Sequence, residues 1–223
     1  MNYLLNKTVF ASLMIQVITG LTGIFMLNYD LAEGKAILRD LLKLEVFVQI
    51  VEGIFYFWLA SNITTVTNIT PNRYYDWFLT TPTMLLTFVV YLIYINNGEY
   101  EEDTLADKIR QNKRPLISIF ILNAMMLLLG LASETKFIDT QFAVLSGFIP
   151  FIAYFYIIWE RYAQFTRNGR ILFWLFSGIW SLYGVAALLP YSKKNIFYNI
   201  LDLFSKNFFG VFLAYVVYKN RLE

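Results

Sequence analysis

The 223-residue chain contains no cysteine and no histidine, and only 15% of its residues are charged. Without cysteine it cannot form a disulfide, a thiolate nucleophile or an iron–sulfur centre. Without histidine it lacks the commonest metal ligand and the commonest carrier of protons near neutral pH. A soluble domain has about 25% charged residues, so this composition disfavours one. The net charge of +2 is too small to indicate a nucleic-acid partner.

Apolar residues predominate in the chain. Hydrophobic residues make up 58% of it, and aromatic residues make up 19%. The strand-like alternation of an outer-membrane barrel is absent. Each apolar run is close to the ~20 residues that a spanning helix needs. The sequence therefore predicts an all-α fold, a seven-transmembrane-helix bundle that forms a single domain over residues 1–223 of a multi-pass integral membrane protein in a lipid bilayer. The predicted spans are about 8–28, 41–61, 75–96, 115–133, 141–159, 171–190 and 196–218.

Lysine and arginine are unevenly distributed between the two ends of these helices. With the N-terminus outside, the inside segments hold twelve basic residues and the outside segments hold five. Basic residues accumulate on the cytoplasmic side, so we expect the N-terminus outside and the C-terminus inside. The first residues, MNYLLNK, lack a basic segment followed by a cleavage site, and we expect them to begin the first helix. The charged connection 96–115 predicts a solvated loop with a helical extension.

One lysine, Lys206, stands in the middle of the last apolar run, four residues after Asp202. An ammonium near a bilayer centre costs roughly 2.5–3.5 kcal/mol on insertion scales, so such residues are rare and usually functional. At this spacing the two side chains share one helix face, and the carboxylate can neutralise the cation. The simplest chemical use of a buried lysine is a Schiff base with an aldehyde.

Four of the predicted helices carry polar residues at one helical period. Lipid offers no hydrogen bonds, so such a stripe faces the bundle interior or water. These residues are either hydrogen-bonding groups between helices or, for Glu45 and Glu52, part of a hydrated ion path. The stripes are Ser12, Gln16, Thr19 and Gly23; Glu45, Gln49, Glu52 and Tyr56; Arg73, Asp76, Thr80, Thr83 and Thr87; and Asn195, Asn199, Asp202 and Lys206.

Three motifs make the chain resemble the microbial (type 1) rhodopsins over its whole length. The third helix reads RYYDWFLTTP (73–82), which is similar to the arginine–tyrosine–x–aspartate–tryptophan–x–x–threonine–x–proline signature of that family. The seventh helix reads LDLFSK (201–206), which resembles the family's second counterion and retinal lysine. The sixth reads WSLY (180–183), which matches the tryptophan and tyrosine that pack against retinal.

The resemblance implies that Lys206 carries all-trans retinal as a protonated Schiff base. It implies that Asp76 is the primary counterion and proton acceptor and that Asp202 is the secondary counterion. A desolvated cation of this kind is stable only with carboxylates nearby. Arg73 would balance the second negative charge and block the external path. The resemblance further assigns to the retinal site Trp77, Thr81, Met84, Asn123, Trp180 and Tyr183.

The chain departs from the proton-pumping members of the family at informative positions. Thr87 stands where outward pumps place a carboxylic proton donor, and the connection 191–195 lacks the acids that release protons outward in bacteriorhodopsin. Glu45, Glu52 and Asn199 instead resemble light-gated cation channels. The short chain is most similar to the group 1 viral rhodopsins, the viral channelrhodopsin branch.

That similarity implies a light-gated cation channel that passes monovalent cations or protons. Glu52 and Asn199 would form a central constriction, and Glu45 would lie at the inner mouth. Acidic side chains along a pore favour cations. The residues that we expect to form the gate and ion pathway are Ser12, Gln16, Glu45, Gln49, Glu52, Arg73, Thr80, Thr87 and Asn199.

Two other outputs stay open, and none of the three is enzymatic. In a light-driven outward proton pump, Glu45 or Glu52 would reload the Schiff base in place of the missing donor. In a sensory rhodopsin, the conformational change would pass to a partner without any current. Trimers and pentamers are common in the family, so a homo-oligomer also stays open.

Overall fold

The computed structural model describes residues 3–63 and 65–222 and confirms the predicted all-α fold. Within these residues, seven helices are long and apolar enough to cross a membrane. Apart from one isolated bridge between Leu31 and Arg221, the described residues form no β-structure. The helices are α1 Tyr3–Met26, α2 Ala36–Asn62, α3 Thr70–Asn96, α4 Lys113–Glu134, α5 Thr140–Ala163, α6 Arg167–Ala187 and α7 Tyr191–Lys219.

The helices start earlier than the apolar runs that predicted them, because polar residues at the membrane surface continue the helix. Thus α3 begins at Thr70 rather than near 75, with Pro71 in its first turn, where a missing backbone N–H costs nothing. In contrast, α6 ends at Ala187 rather than near 190. Pro190 follows shortly after and disfavours helical backbone at the residue before it.

Consecutive helices pack against each other, and α7 completes the bundle by packing on α1, α2 and α6. Helix α3 is the most buried of the seven spans. Its apolar residues Met84, Leu85 and Phe88 are fully buried in the main core, together with residues of α2, α5, α6 and α7. The side chains of α3 therefore lie at the centre of the molecule.

Two helices contain a π-helical turn, at Trp159–Ala163 in α5 and at Leu203–Asn207 in α7. Neighbouring amides satisfy backbone carbonyls there. The side chain of Asn96 donates to the Tyr162 carbonyl at 2.8 Å, and that of Gln49 donates to the Lys206 carbonyl at 3.3 Å. Such turns often mark functional sites, and the second contains Lys206 itself.

One end of the bundle comprises the connections 27–35, 97–112, 164–166 and 220–222 and is called here the basic end. Twelve of the 18 lysines and arginines lie in these connections or in about the last two turns of the helices that they join. The predicted helical extension of the longest connection is present as Leu105–Gln111, capped by Thr104. The connection is less solvated than expected, because Glu101 and Lys108 are buried. The opposite end comprises residues 65–69, 135–139 and 188–190.

Candidate functional site: a buried lysine among carboxylates

The Lys206 side chain is buried at the centre of the bundle and is in contact with three carboxylates. Its Nζ lies 2.8 Å from Glu52 Oε1, 2.8 Å from Asp76 Oδ2 and 3.4 Å from Asp202 Oδ1. These acids come from α2, α3 and α7, so the ammonium joins three helices. The structure thus brings together the predicted lysine and its two predicted counterions. It adds Glu52, which the sequence assigned only to an ion pathway.

Asp202 lies between the two buried cations of the site. Its Oδ2 is 3.5 Å from Arg73 Nη1 and accepts a hydrogen bond from the Tyr56 hydroxyl at 2.6 Å. Its Oδ1 accepts one from the Tyr183 hydroxyl at 2.7 Å. With three acids and two bases, the ionised cluster would carry one net negative charge (2 − 3 = −1). A single proton held by one carboxyl group makes the cluster neutral.

Arg73 hydrogen-bonds to side chains of α7 in the half of the bundle nearer the opposite end. Its Nε donates to Asn195 Oδ1 at 3.0 Å, and its Nη2 donates to Asn199 Oδ1. The Asn199 amide in turn donates to Thr8 at 2.9 Å, and the Asn195 amide donates to Thr70 at 3.0 Å. The predicted Ser12 joins this network by donating to the Asn199 carbonyl at 3.2 Å.

Three members of this network, Asn195, Thr8 and Thr70, were not among the predicted site residues. Their spacing could have identified them. Asn195 begins the polar stripe of α7, Thr8 lies four residues before Ser12, and Thr70 lies three before Arg73. Each therefore continues a polar face by one turn.

Toward the basic end, the predicted pathway residues are buried but poorly paired. Neither carboxylate oxygen of Glu45, and neither polar atom of the Gln16 amide, has a hydrogen-bond partner among the described residues. Thr87 faces Glu45, but its hydroxyl donates to the Thr83 carbonyl at 3.0 Å. Buried polar atoms without partners are costly. These groups are therefore interior polar positions whose hydrogen-bonding capacity the described residues do not fill.

Gln49 lies between this half and Lys206. One glycine makes room for its side chain, because a Cβ at Gly210 would lie 3.2 Å from Gln49 Nε2, which is tighter than an ordinary contact. The predicted Thr80 is buried next to the counterion, with its hydroxyl bonded to the Asp76 carbonyl at 3.0 Å. Both side chains therefore line the interior of the bundle.

The sequence predicted that Glu45 lies at the inner mouth of the pathway. The structure instead places this side chain below the surface. Its relative exposure is 1%. Leu38, Leu41 and Leu42, one to two turns closer to the basic end on the same helix, are almost fully buried as well. In the closed bundle an apolar layer separates Glu45 from the surface at that end.

An apolar cavity begins at Lys206 and extends between α3, α4, α5 and α6. Five of the six residues assigned to the retinal site line it, namely Trp77, Thr81, Met84, Trp180 and Tyr183. The sixth, Asn123, lies behind the wall and donates to the Thr81 hydroxyl at 2.7 Å. An apolar cavity that reaches a buried amine fits a polyene aldehyde such as retinal.

The far wall of this cavity depends on a glycine. Gly184 stands on α6, where a Cβ would lie 2.8 Å from the Phe148 ring of α5. The close approach of Phe148 therefore needs a residue without a side chain at this position. Trp77, on the near wall, is held edge-on between Tyr183 and Tyr198, with ring centroids 5.6 and 5.1 Å away.

The geometry agrees with comparisons to known proteins. A family model described as bacteriorhodopsin-like protein matches residues 5–220. The viral rhodopsin OLPVRII is 25% identical, with a TM-score of 0.84 over 97% of this chain and 98% of that chain. The blue light-absorbing proteorhodopsin from Med12 is 18% identical, with a TM-score of 0.77 over 98% of both chains. Halorhodopsin, described as a light-driven chloride pump, is 16% identical, with a TM-score of 0.68 over 98% of this chain and 97% of that chain. The last two likenesses establish the shared fold alone. A comparison with curated protein sequences gave no match.

Proposed function

Because the chain belongs to the bacteriorhodopsin-like family of microbial rhodopsins, we propose that it is a retinal-binding photoreceptor that acts as a light-gated cation channel. The observation that carries the proposal is a buried polar array on α1, α2, α3 and α7. It runs from Asn195 past Lys206 to Glu45, with Glu52 in contact with the lysine. We also propose that the basic end faces the cytoplasm, as the distribution of lysine and arginine favours.

Lys206 is the attachment point in this proposal, and the apolar cavity holds the chromophore. Bound all-trans retinal supplies the absorption of visible light and a light-driven change of shape beside the Lys206 nitrogen. Trp77, Thr81 and Met84 line the cavity from α3, and Trp180 lines it from α6. Asn123 fixes the Thr81 hydroxyl through its hydrogen bond.

Glu52 and Asp76 are both placed to accept a proton from the Lys206 nitrogen. Each carboxylate oxygen lies 2.8 Å away, which is within the reach that proton transfer needs. A neutral nitrogen no longer attracts Glu52. Because this ion pair joins α2 to α7, its loss weakens the restraint between two helices that line the polar array. The proposed gate is therefore the Lys206–Glu52 pair.

Two further barriers divide the proposed pathway. Toward the opposite end, the hydrogen bonds of Arg73 with Asn195 and Asn199 close the bundle. Toward the basic end, the barrier is the apolar layer of Leu38 and Leu42 beyond Glu45. Carboxylates on the path favour cations over anions, so conduction of monovalent cations or protons requires both barriers to open.

Voltage-clamp recording under illumination tests the proposal. A channel gives a photocurrent that reverses sign with membrane voltage and whose reversal potential follows the cation gradient. A current of one direction at every voltage would contradict the channel and support a pump. No current, together with a light-induced colour change, would instead support a sensory photoreceptor.

An outward proton pump is the second candidate, and the Lys206–Glu52 contact favours it specifically. Thr87 replaces the usual proton donor, but a carboxyl group at 2.8 Å could return a proton to the nitrogen. Glu45, two turns away on α2, could in turn reload Glu52. The voltage dependence of the photocurrent separates this function from the channel.

A further inference from the structure

An exposed groove lies on one face of α6 at its basic end, away from the retinal cavity. It is lined by Arg167, Arg170, Ile171, Trp174 and Leu175. These residues recur every three to four positions, so they share one helix face. The three apolar side chains are between 48% and 66% exposed. The groove thus has a charged end at the membrane surface and an apolar end toward the membrane interior.

The two arginines of the groove have no acidic partner among the residues that the structure describes. The Arg170 guanidinium donates to the Gln164 carbonyl at 2.9 Å, which is a neutral group. The ion pairs found within residues 3–63 and 65–222 all involve other cations. Basic side chains in the first turn of a helix do not stabilise it, because the helix dipole favours cations at the other end. Helix stability therefore does not explain these two residues.

Aromatic packing holds the apolar end of the groove in place. The Trp174 ring lies 5.8 Å from that of Trp159 and 5.3 Å from that of Phe173 between centroids. Phe173 is buried, so Trp174 is anchored to the core although its own outer face is exposed. Tryptophan in this position is typical of the membrane–water interface.

We propose that this groove binds an anionic phospholipid from the leaflet at the basic end. The phosphate lies between Arg167 and Arg170, because guanidinium groups match phosphate oxygens with paired hydrogen bonds. The acyl chain lies along Ile171, Trp174 and Leu175. A soluble anion would satisfy only the arginines, whereas a lipid satisfies both ends of the groove. Basic pockets of membrane helices recognise anionic headgroups in this way.

Quenching of tryptophan fluorescence by brominated lipid tests the proposal in the intact protein. The protein is placed in phosphatidylcholine nanodiscs with a minor fraction of brominated phosphatidylglycerol or, for comparison, brominated phosphatidylcholine. We expect stronger quenching by the anionic lipid, and we expect Trp174→Phe to abolish that difference. Arg167→Gln and Arg170→Gln should each weaken the preference roughly fivefold.

Arg114→Gln is the matched control. Arg114 lies at the start of α4 at the same end of the bundle, is exposed and forms no ion pair with any residue in the described ranges. Its substitution removes one positive charge but leaves the groove intact, so the preference should remain. Equal quenching by the two lipids, or an equal loss in Arg114→Gln, would overturn the proposal in favour of a general surface-charge effect. The measurement does not depend on a photocurrent, so its outcome is independent of the channel proposal.

Discussion

The Lys206 ammonium lies 2.8 Å from a carboxylate oxygen of Glu52, the same distance as from Asp76. Glu52 belongs to α2 and Lys206 to α7, so this ion pair links two helices that are far apart in the chain. Both side chains are buried, and a buried charge left without its partner is strongly destabilising. Any change in the charge of the nitrogen therefore changes the force between these helices.

The first prediction concerns Glu52→Gln, which keeps the shape of the side chain but removes its charge. We expect the photocurrent to fall several-fold, because the glutamine cannot respond to the charge of the Lys206 nitrogen. We also expect absorption at longer wavelength, because a negative charge that stabilises the cation near its nitrogen is lost. Voltage clamp and an absorption spectrum measure the two effects. Glu102→Gln, at an exposed loop position, is the control and should change neither.

The second prediction concerns attachment of the chromophore. Lys206→Arg keeps a positive charge among the three carboxylates, but a guanidinium does not form a Schiff base with an aldehyde. We expect a helical protein that stays colourless when all-trans retinal is added. Circular dichroism and visible absorbance provide the two readouts. Lys194→Arg, which retains a cation beside Glu134 at the opposite end, should become coloured like the parent. Visible colour in Lys206→Arg would mean that the attachment point lies elsewhere.

The third prediction concerns the hydrogen bond from Tyr56 to Asp202. Tyr56→Phe removes a hydroxyl that donates to a carboxylate at 2.6 Å and leaves the ring in place. Hydrogen bonds to charged groups contribute about 1.5–3 kcal/mol, so we expect the free energy of unfolding to fall by that amount. Tyr154→Phe is the matched control, since within the described part of the chain this buried hydroxyl has only the Met126 sulfur, at 3.9 Å, as a hydrogen-bond partner. Equal losses in the two variants would contradict the prediction.

Helical periodicity explains why much of this arrangement could be predicted. Residues four apart lie on one face, so the stripes of α2, α3 and α7 had to point into the bundle. The motif around Asp76 and the lysine at position 206 then identified α3 and α7 as the helices that meet at the centre of the bundle. The hydrogen bond between Asn123 and Thr81 also joins two residues that the resemblance had assigned to the retinal site.

Spacing within a helix does not determine the depth or rotation of one helix relative to another. For that reason Glu52 was predicted to lie on the pathway, but its direct contact with Lys206 was not foreseen. The π-helical turn at Leu203–Asn207 also changes the register of α7 beside the lysine. Likewise, the depth of Glu45 depends on how the leucines of α2 pack against the neighbouring helices. No local pattern in the sequence encodes that packing.

A second ionic cluster, at the basic end, lies in the longest connection, which is hydrogen-bonded to the connection that precedes α2. Lys108 lies 2.7 Å from Glu101 and 2.9 Å from Asp103, and the Glu101 backbone N–H donates to the Gly34 carbonyl at 2.9 Å. Burial alone would raise the pKa of Glu101, but hydrogen bonds from Lys108, Asp103 and Asn97 hold it below its usual value. Hydrogen bonds from Gln111 and Lys108 lower the pKa of Asp103. Burial would lower the pKa of Lys108, but its bonds to both acids raise it.

The fourth prediction follows from the sign of these shifts. Acids whose pKa is lower in the folded state stabilise the protein at pH values above their unfolded pKa, near 4, and lose that contribution as the pH falls through the folded pKa. The raised pKa of Lys108 contributes below about pH 10 and is lost only as the pH rises through its folded value. The melting temperature of the parent should therefore drop as the pH falls below about 5, and Lys108→Met should reduce that drop because the acids lose their cation. Lys113→Met, at an exposed position without an ion pair in the described part of the chain, should behave like the parent. An unchanged acid slope in Lys108→Met would show that the cluster does not stabilise the fold.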